Sequence, residues 1–185
     1  MSYYYLMKAL LIGLGGASGN ILNNIAEDSP NDFNFLYVNT DKKSIEVSKI
    51  ENKLHVNVKE GEEIENSFED ITDSILNHVN ENDKIFVIAG LGGVTGSALL
   101  SHLGKLLKDN NYSSLGIVTM PFNYEGKARM EIANKSLEEA KPFYDKIEIF
   151  DNQSMFQYAE KETTFIEAFK EMDTRIKGYI ESQIV

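Results

Sequence analysis

The sequence predicts an α/β fold: a mainly parallel sheet of six strands, helices on both of its faces, and a long helix as the last element. Short apolar, β-branched runs alternate with longer segments whose apolar residues recur at helical spacing. This alternation is typical of βαβ units, whose crossovers place helices on both sides of a parallel sheet. Two of the strand-like runs lead directly into glycine-rich loops. The loops indicate a ligand site at the carboxyl edge of the sheet.

The first half of the chain contains three predicted strands, at residues 8–12, 33–38 and 53–58. Apolar residues at 21, 22 and 25 predict a helix after the first strand, and residues 29–32 predict a turn. The third strand alternates polar and apolar residues, which is typical of a sheet edge. Between residues 60 and 80, apolar residues recur every three or four positions and predict one amphipathic helix with an acidic, solvated face.

The second half adds predicted strands at residues 84–89, 114–119 and 147–150. Apolar spacing predicts a helix that ends near residues 109–111, a helix over residues 125–140, and a final helix with an apolar stripe from Phe165 to Ile184. No linker, low-complexity tract or internal repeat interrupts this order, so residues 1–185 are expected to form one domain.

Each glycine-rich loop lies where a strand changes into a helix. The first covers residues 13–20 (GLGGASGN), and the central one covers residues 89–98 (AGLGGVTGSA). Glycine lets backbone N–H groups approach an anion closely, and a helix N-terminus adds a positive dipole end. Either loop alone could equally be a turn without a ligand. Together they indicate a diphosphate or triphosphate held from two sides.

Composition narrows the classes of function. A formal net charge of −11 argues against non-specific nucleic-acid binding, and the lack of cysteine excludes disulfides and thiolate metal sites. The three histidines share no metal-ligand spacing, so no metal centre is predicted. No apolar run is long enough to span a membrane. The apolar residues near the N-terminus lack the flanking positive charge of a signal peptide, and a cytoplasmic protein is expected.

Four stretches together resemble the nucleotide-binding domain of the FtsZ/tubulin family of GTPases, and resemble bacterial FtsZ more than tubulin. They are the two glycine loops, residues 38–41 (VNTD) and residues 121–130 (PFNYEGKARM). The last stretch is the most specific of the four. The resemblance runs from about Met7 to the final helix. It implies a Rossmann-like domain that binds GTP or GDP and acts in cell division or filament regulation.

The resemblance also implies roles at the phosphate end of such a site. Gly15, Gly16 and Asn20 would line the first phosphate loop. The central loop would wrap the phosphates mainly through backbone N–H groups, with Gly92, Gly93, Thr95, Gly96 and Ser97. Asn39 and Asp41 are further candidates, although both residue types also shape turns. The sequence contains no cluster of carboxylates that would bind Mg²⁺ by itself. If Mg²⁺ binds with the nucleotide, Asp41 is the one residue that the sequence suggests as an additional ligand.

At the other end of the site, the resemblance implies contacts to ribose and base. Glu125 would hold the ribose hydroxyls, Arg129 would lie near sugar and phosphate, and Asp151 would lie close to ribose or base. Phe169 would pack on guanine, and Asp173, on the same helix face, would accept hydrogen bonds from the N1–H and amino groups. The alternatives are that Glu125 and Arg129 form only a surface ion pair and that Phe169 belongs to the core.

Three departures from the family pattern bear on activity. Val94 replaces a glycine, where a β-branched residue would resist a positive φ and crowd the phosphates. The glycine- and alanine-rich loop that normally meets the γ-phosphate after the third strand is missing. The sequence also lacks the acidic loop and second domain that complete the site of the next subunit in a filament. A guanine-nucleotide-binding domain with little or no hydrolysis of its own is therefore expected, and no catalytic residue is assigned.

Two other interpretations remain open at this point. The pocket could be degenerate and the fold a scaffold for protein interactions without nucleotide. Alternatively, the chain could be a true GTPase whose missing groups come from a full-length FtsZ-like partner. The expected partners are thus guanine nucleotide and either a full-length FtsZ-like protein or a second copy of this chain.

Overall fold

The computed structural model describes residues 9–29, 32–81, 83–158 and 163–184. Its strands form one six-stranded sheet in the order β3-β2-β1-β4-β5-β6, and every neighbouring pair is parallel. The predicted sheet is therefore confirmed. The strands are β1 Ala9–Leu14, β2 Phe33–Asn39, β3 Lys53–His55, β4 Lys84–Gly90, β5 Ser114–Met120 and β6 Lys146–Asp151.

Helices cover both faces of this sheet, as predicted. They are α1 Gly15–Asp28, α2 Lys42–Val47, α3 Ile64–Glu69, α4 Thr72–Leu76, α5 Val94–Asp109, α6 Lys127–Ala140, α7 Met155–Tyr158 and α8 Phe165–Ile184. Alternate residues of the strands point to opposite faces, so the sheet builds two cores. On one face Leu10 and Ile12 join the core with α5 and α6, and on the other Leu11 joins the core with α1 and α8.

The segment between residues 60 and 80 differs from the single helix that was predicted. It forms the short helices α3 and α4, because Ile71 has φ −112° and ψ 1°, outside the helical region. The Thr72 hydroxyl also donates to the Glu69 carbonyl oxygen at 3.0 Å, an alternative to the regular helical bond. The bend still buries Phe68 of α3 and Ile75 of α4 in the same core.

Several predicted boundaries shift in the structure. The strand β3 ends at His55 rather than residue 58, and α1 begins at Gly15, inside the predicted first loop. The helix α2 was missed because it is only six residues long and none of its side chains is buried. Residues 8, 30 and 31, which belong to the predicted first strand and first turn, lie outside the described residues. In the part of the chain that is described, no helix has the length and apolar character to cross a bilayer.

Candidate functional site

Two adjoining clefts lie at the carboxyl edge of the sheet. The glycine cleft, of about 390 Å³, lies between the start of α1, the residues after β2 and the start of α5, and its lining includes Gly16, Asn39, Thr95 and Arg129. The aromatic cleft, of about 710 Å³, lies between α1, α7 and α8, and its lining includes Phe122, Phe169 and Asp173. The clefts share Ala17, Thr119, Glu125 and Asn152, so they form one continuous groove.

The starts of α1 and α5 approach each other closely in the glycine cleft. Gly15 has φ +83°, and a Cβ there would stand 3.1 Å from the backbone N of Gly96. A Cβ on Gly96 would stand 2.5 Å from the carbonyl oxygen of Gly90, which is closer than real Cβ atoms come. Both glycines are therefore required for this approach of backbone to backbone. It brings the N-terminal ends of two helices to the same cleft.

The N-terminus of α5 presents backbone donors to the cleft. Its N-cap residue is Gly93, and no side chain caps this end of the helix. The first amide groups of a helix have no partner within the helix, and the helix dipole makes this end positive. Both properties suit an anion, so this end of the cleft can bind phosphate through the main chain.

Gly92 and Ser97 stabilise the central loop from inside. The backbone N–H of Gly92 donates to Ser97 Oγ at 2.8 Å, and the Ser97 side chain is buried. Gly92 itself has φ +86° and lies against the Arg129 backbone. The structure therefore places these two predicted residues behind the cleft, where they shape the loop, and neither lines the groove.

Val94 does not create the backbone conflict that the sequence suggested. It is the first residue of α5, and among the described residues Asn111 is the non-glycine residue with positive φ. The expected strain was wrong because the valine stands after the glycine turn, where helical φ suits any residue. The Val94 side chain is 73% exposed and lines the glycine cleft, so only its bulk bears on a ligand.

A buried hydrogen-bond network joins the end of β2 to α5. Asn39 Nδ2 donates to the Tyr37 hydroxyl at 2.6 Å, and Thr95 Oγ1 donates to Asn39 Oδ1 at 3.3 Å. The hydroxyls of Thr40 and Thr95 are 2.6 Å apart. The Asn39 and Thr95 side chains are thus fixed by each other, and Thr40, which was not predicted, extends the polar wall.

Asp41 is an N-cap that also lines the glycine cleft. Its carboxylate accepts from Ser44 Oγ at 2.6 Å and from the Lys43 backbone N–H at 3.0 Å. These bonds, the Ser44 hydroxyl first, hold the pKa of Asp41 below its usual value. The carboxylate therefore stays ionised at neutral pH. Within residues 9–29, 32–81, 83–158 and 163–184, no cluster of three or more histidine or acidic side chains could hold a metal ion.

Glu125 and Arg129 form an i, i+4 ion pair at the junction of the two clefts, the pairing that the sequence analysis held as the alternative to a ligand contact. Glu125 Oε1 also accepts from the Phe122 backbone N–H at 2.8 Å, which fixes the carboxylate against the turn before α6. The Glu125 side chain is 22% exposed and lines both clefts, while Arg129 lines the glycine cleft. Glu125 can therefore be paired with Arg129 and still present its carboxylate to a ligand in the groove.

The residue after β6 that reaches the groove is Asn152. It lines both clefts, whereas Asp151 lines neither. The Asp151 carboxylate instead accepts from the Gln153 backbone N–H at 2.9 Å and caps the turn after the strand. The sequence analysis chose the acidic residue Asp151. The residue that lines the groove, Asn152, is its neighbour one position later, and no pattern in the sequence distinguishes the two.

Phe169 and Asp173 lie together in the aromatic cleft, one helical turn apart on α8. Phe169 is 41% exposed and meets the Phe122 ring edge-on, with centroids 6.0 Å apart. It is therefore not a core residue, and its ring is accessible to a ligand. Tyr124, which was not predicted, stacks on the other ring of this pair at 5.0 Å from Phe122.

Asp173 is buried although it is acidic, with an exposed fraction of 7%. Asn24 Nδ2, on α1, donates to Asp173 Oδ2 at 2.5 Å. Burial raises the pKa of Asp173 to about 6, and the hydrogen bond from Asn24 opposes that rise. A buried carboxylate with unused acceptor capacity at the edge of a cleft is suited to recognising a group with two N–H donors. Asn24 itself was not predicted.

Comparison with known proteins places this chain in a family. Residues 8–160 match the model of the Tubulin/FtsZ family, GTPase domain. The cell division protein FtsZ of Rickettsia bellii is 31% identical over 172 residues, which cover 88% of this chain and 38% of that protein. The chain thus spans less than half the length of this curated relative.

Solved structures give the same fold. An FtsZ dimer of M. jannaschii, described as empty, aligns with a TM-score of 0.82 and 23% identity over 96% of this chain and 54% of that one. CetZ2 from Haloferax volcanii, described as a GTPγS-bound protofilament, aligns with a TM-score of 0.81 and 20% identity over 96% of this chain and 58% of that one. On the sequence match over most of its length, the chain belongs to the Tubulin/FtsZ family of GTPase domains.

Proposed function

We propose that the chain is a guanine-nucleotide-binding domain that hydrolyses GTP weakly or not at all on its own. One observation carries the proposal: a cleft built from helix N-termini and glycine backbone continues into a cleft with an accessible aromatic ring and a buried carboxylate. A nucleotide has the matching order of groups, with phosphates at one end and a base at the other. The CetZ2 structure described as GTPγS-bound has the same fold.

The phosphates would lie in the glycine cleft. Gly15 and Gly16 at the start of α1, and Gly93 and Gly96 at the start of α5, bring backbone N–H groups to it. Backbone donors can bind an anion in a chain whose formal net charge is −11, because the positive potential is local. The hydroxyls of Thr40 and Thr95, which are bonded to each other, form the polar wall beside these donors.

The ribose would lie where the clefts meet. Glu125 is an acceptor-only carboxylate whose orientation is fixed by the Phe122 amide and Arg129, and it would accept from the ribose hydroxyls. Asn152 would take the neighbouring place that the family resemblance suggested for Asp151. Arg129 would remain close enough to the phosphates to contribute charge.

The base would lie in the aromatic cleft. Phe169 would pack on the purine ring, and Asn20 lines the same cleft from the side of α1. The ionised Asp173 carboxylate would accept from the guanine N1–H and amino groups. Adenine lacks this pair of donors, and a buried acceptor that is left without a donor is costly, so guanine is favoured.

We expect weak hydrolysis because both carboxylates that line the glycine cleft are already hydrogen-bonded or ion-paired within the protein. Attack on a γ-phosphate needs a group that orients water, and Mg²⁺ commonly bridges the phosphates. Of the carboxylates that line the glycine cleft, Asp41 is bonded to Ser44 and Lys43, and Glu125 is bonded to Arg129. Asp41 is the residue best placed to assist a magnesium ion that arrives with the nucleotide. A role in cell division or filament regulation, with a full-length FtsZ-like protein or a second copy as partner, completes the proposal.

The test is calorimetric titration of nucleotide-free protein with GDP, GTP and ADP, with and without Mg²⁺. Micromolar or tighter binding of GDP and GTP, without binding of ADP, is expected. Phosphate release from GTP is then measured for the protein alone and with a full-length FtsZ. No binding of any nucleotide would overturn the proposal in favour of an interaction scaffold. Rapid release only with the partner would identify a GTPase completed by another chain.

A further inference from the structure

Asn24 and Asp173 connect two helices in the wall of the aromatic cleft. The residues are 149 positions apart in sequence, and the amide of Asn24 on α1 donates to Asp173 Oδ2 on α8 at 2.5 Å. Both residues also border a smaller cavity of about 150 Å³ between these helices. The carboxylate therefore lies in the wall between two cavities.

The hydrogen bond from Asn24 determines which acceptor positions remain for a ligand. A carboxylate has two oxygens with about two lone pairs each. Asn24 occupies one position on Oδ2, which leaves Oδ1 and the second position on Oδ2. A guanine presents two parallel N–H donors, so it needs both oxygens in one plane with the base. Rotation of the carboxylate would remove that alignment.

We propose that Asn24 is a positioning residue that holds the Asp173 carboxylate in the orientation and charge state that select guanine. This inference rests on the proposed function and names the determinant of its base selectivity. The Asn24 amide has a double effect. It fixes the plane of the carboxylate, and as a donor it favours the ionised form that can accept two hydrogen bonds.

Several charged side chains line the two cavities beside Asp173. Burial raises the pKa of Asp173 to about 6, and the Asn24 hydrogen bond is the interaction that lowers it. Glu27 of α1 is paired with Lys49, and Glu125 is paired with Arg129. The other charged residues that line the two cavities are Asp28, Lys170 and Lys177. A neutral donor in direct contact is therefore the main support of the charged carboxylate.

The test compares GDP with inosine diphosphate, which lacks the 2-amino group. Affinities are measured by calorimetry between about pH 5 and about pH 8 for the wild type, Asn24→Ala, Asn24→Asp and Thr174→Ala. Asn24→Asp keeps the shape of the side chain, so it remains informative where Asn24→Ala is unstable. Thr174 is the matched control, because it follows Asp173 on α8 but its hydroxyl bonds the Lys170 carbonyl oxygen of the same helix.

For Asn24→Ala we expect GDP to bind about tenfold more weakly at neutral pH, because a hydrogen bond to a charged group is lost. The preference for GDP over inosine diphosphate should fall, and the pH below which GDP binding weakens should rise. Asn24→Asp should lose more GDP affinity, because a second carboxylate opposes ionisation of the first. Thr174→Ala should match the wild type.

The outcomes separate this inference from the proposed function. A wild type that binds no GDP overturns the proposed function and, with it, the role of Asn24. A wild type that binds GDP, together with variants that lose stability but keep its pH profile and its GDP-to-inosine ratio, overturns the role of Asn24 alone. That second pattern would mean that Asn24 only joins α1 to α8.

Discussion

The two halves of the groove are built from different materials. In the glycine cleft the ligand would meet backbone, since the starts of α1 and α5 approach through Gly15 and Gly96. In the aromatic cleft it would meet side chains, namely Phe169 and the Asn24–Asp173 pair. Backbone N–H groups donate to the phosphates of any nucleotide, whereas side chains can distinguish one base from another. Changes in the first cleft should therefore alter affinity for all nucleotides, and changes in the second should alter the choice of base.

The largest expected effect is a reversal of base preference in Asp173→Asn. The amide would replace one acceptor with a donor, which opposes the 2-amino group of guanine but suits the 2-carbonyl group of xanthine. GDP affinity should fall about a hundredfold or more, because one hydrogen bond to a charged group is lost and the other is made to a neutral amide oxygen. Xanthosine diphosphate should bind better than it does to the wild type.

Calorimetry with both diphosphates checks this reversal, and Asp173→Ala is the matched control. The alanine variant should lose the preference for guanine without gaining one for xanthine. Equal losses of GDP and xanthosine diphosphate in Asp173→Asn would show that residue 173 does not contact the base edge.

Next in size is the effect of Asp173 on stability without nucleotide. Its folded pKa of about 6 lies above the unfolded value of 3.8, so the folded state loses stability as pH rises from 3.8 to about 6. Asp173→Asn should remove this penalty and raise the free energy of unfolding by about 3 kcal/mol above pH 6. Near pH 4 the two proteins should be equally stable. Urea unfolding at several pH values measures the difference, and a pH-independent difference would contradict a buried carboxylate.

The glycine cleft should respond differently, through the fold itself. Gly96→Ala would place a Cβ 2.5 Å from the Gly90 carbonyl oxygen and 3.2 Å from that of Leu14. The backbone cannot yield without moving the ends of β1 and β4, so we expect a loss of about 2 kcal/mol in stability and weaker binding of every nucleotide.

Gly16→Ala is the control for this substitution, since beyond its chain neighbours and the backbone of α1 no heavy atom lies within 4 Å of a Cβ at Gly16. Its fold should be unchanged or slightly more stable, because alanine favours a helix more than glycine does. Thermal unfolding of the two variants provides the comparison. Equal stability of Gly96→Ala and Gly16→Ala would mean that the close approach of the loops is not required.

This contrast also explains what could be predicted from the sequence. The glycine loops are contiguous and each follows an apolar run, so the sheet edge and most of the glycine cleft could be predicted. The Asn24–Asp173 contact joins two distant helices, and Asn24 belongs to a common residue type, so no local pattern marks it. Asn152 was missed, and Asp151 chosen instead, for another reason: the direction of a side chain after a strand depends on the turn that follows it.

The smallest expected effect concerns Val94, where the glycine cleft departs from the family pattern. Its backbone is helical, so only its exposed side chain can crowd a phosphate. Val94→Ala should therefore improve GTP affinity as much as Val94→Gly does, by no more than several-fold, and Val94→Gly should lose up to about 1 kcal/mol of stability. Calorimetry with GTP and GDP measures the effect on affinity, and thermal unfolding measures the effect on stability. Tighter GTP binding in Val94→Gly alone would show that backbone freedom at this position matters, against the helical geometry of α5.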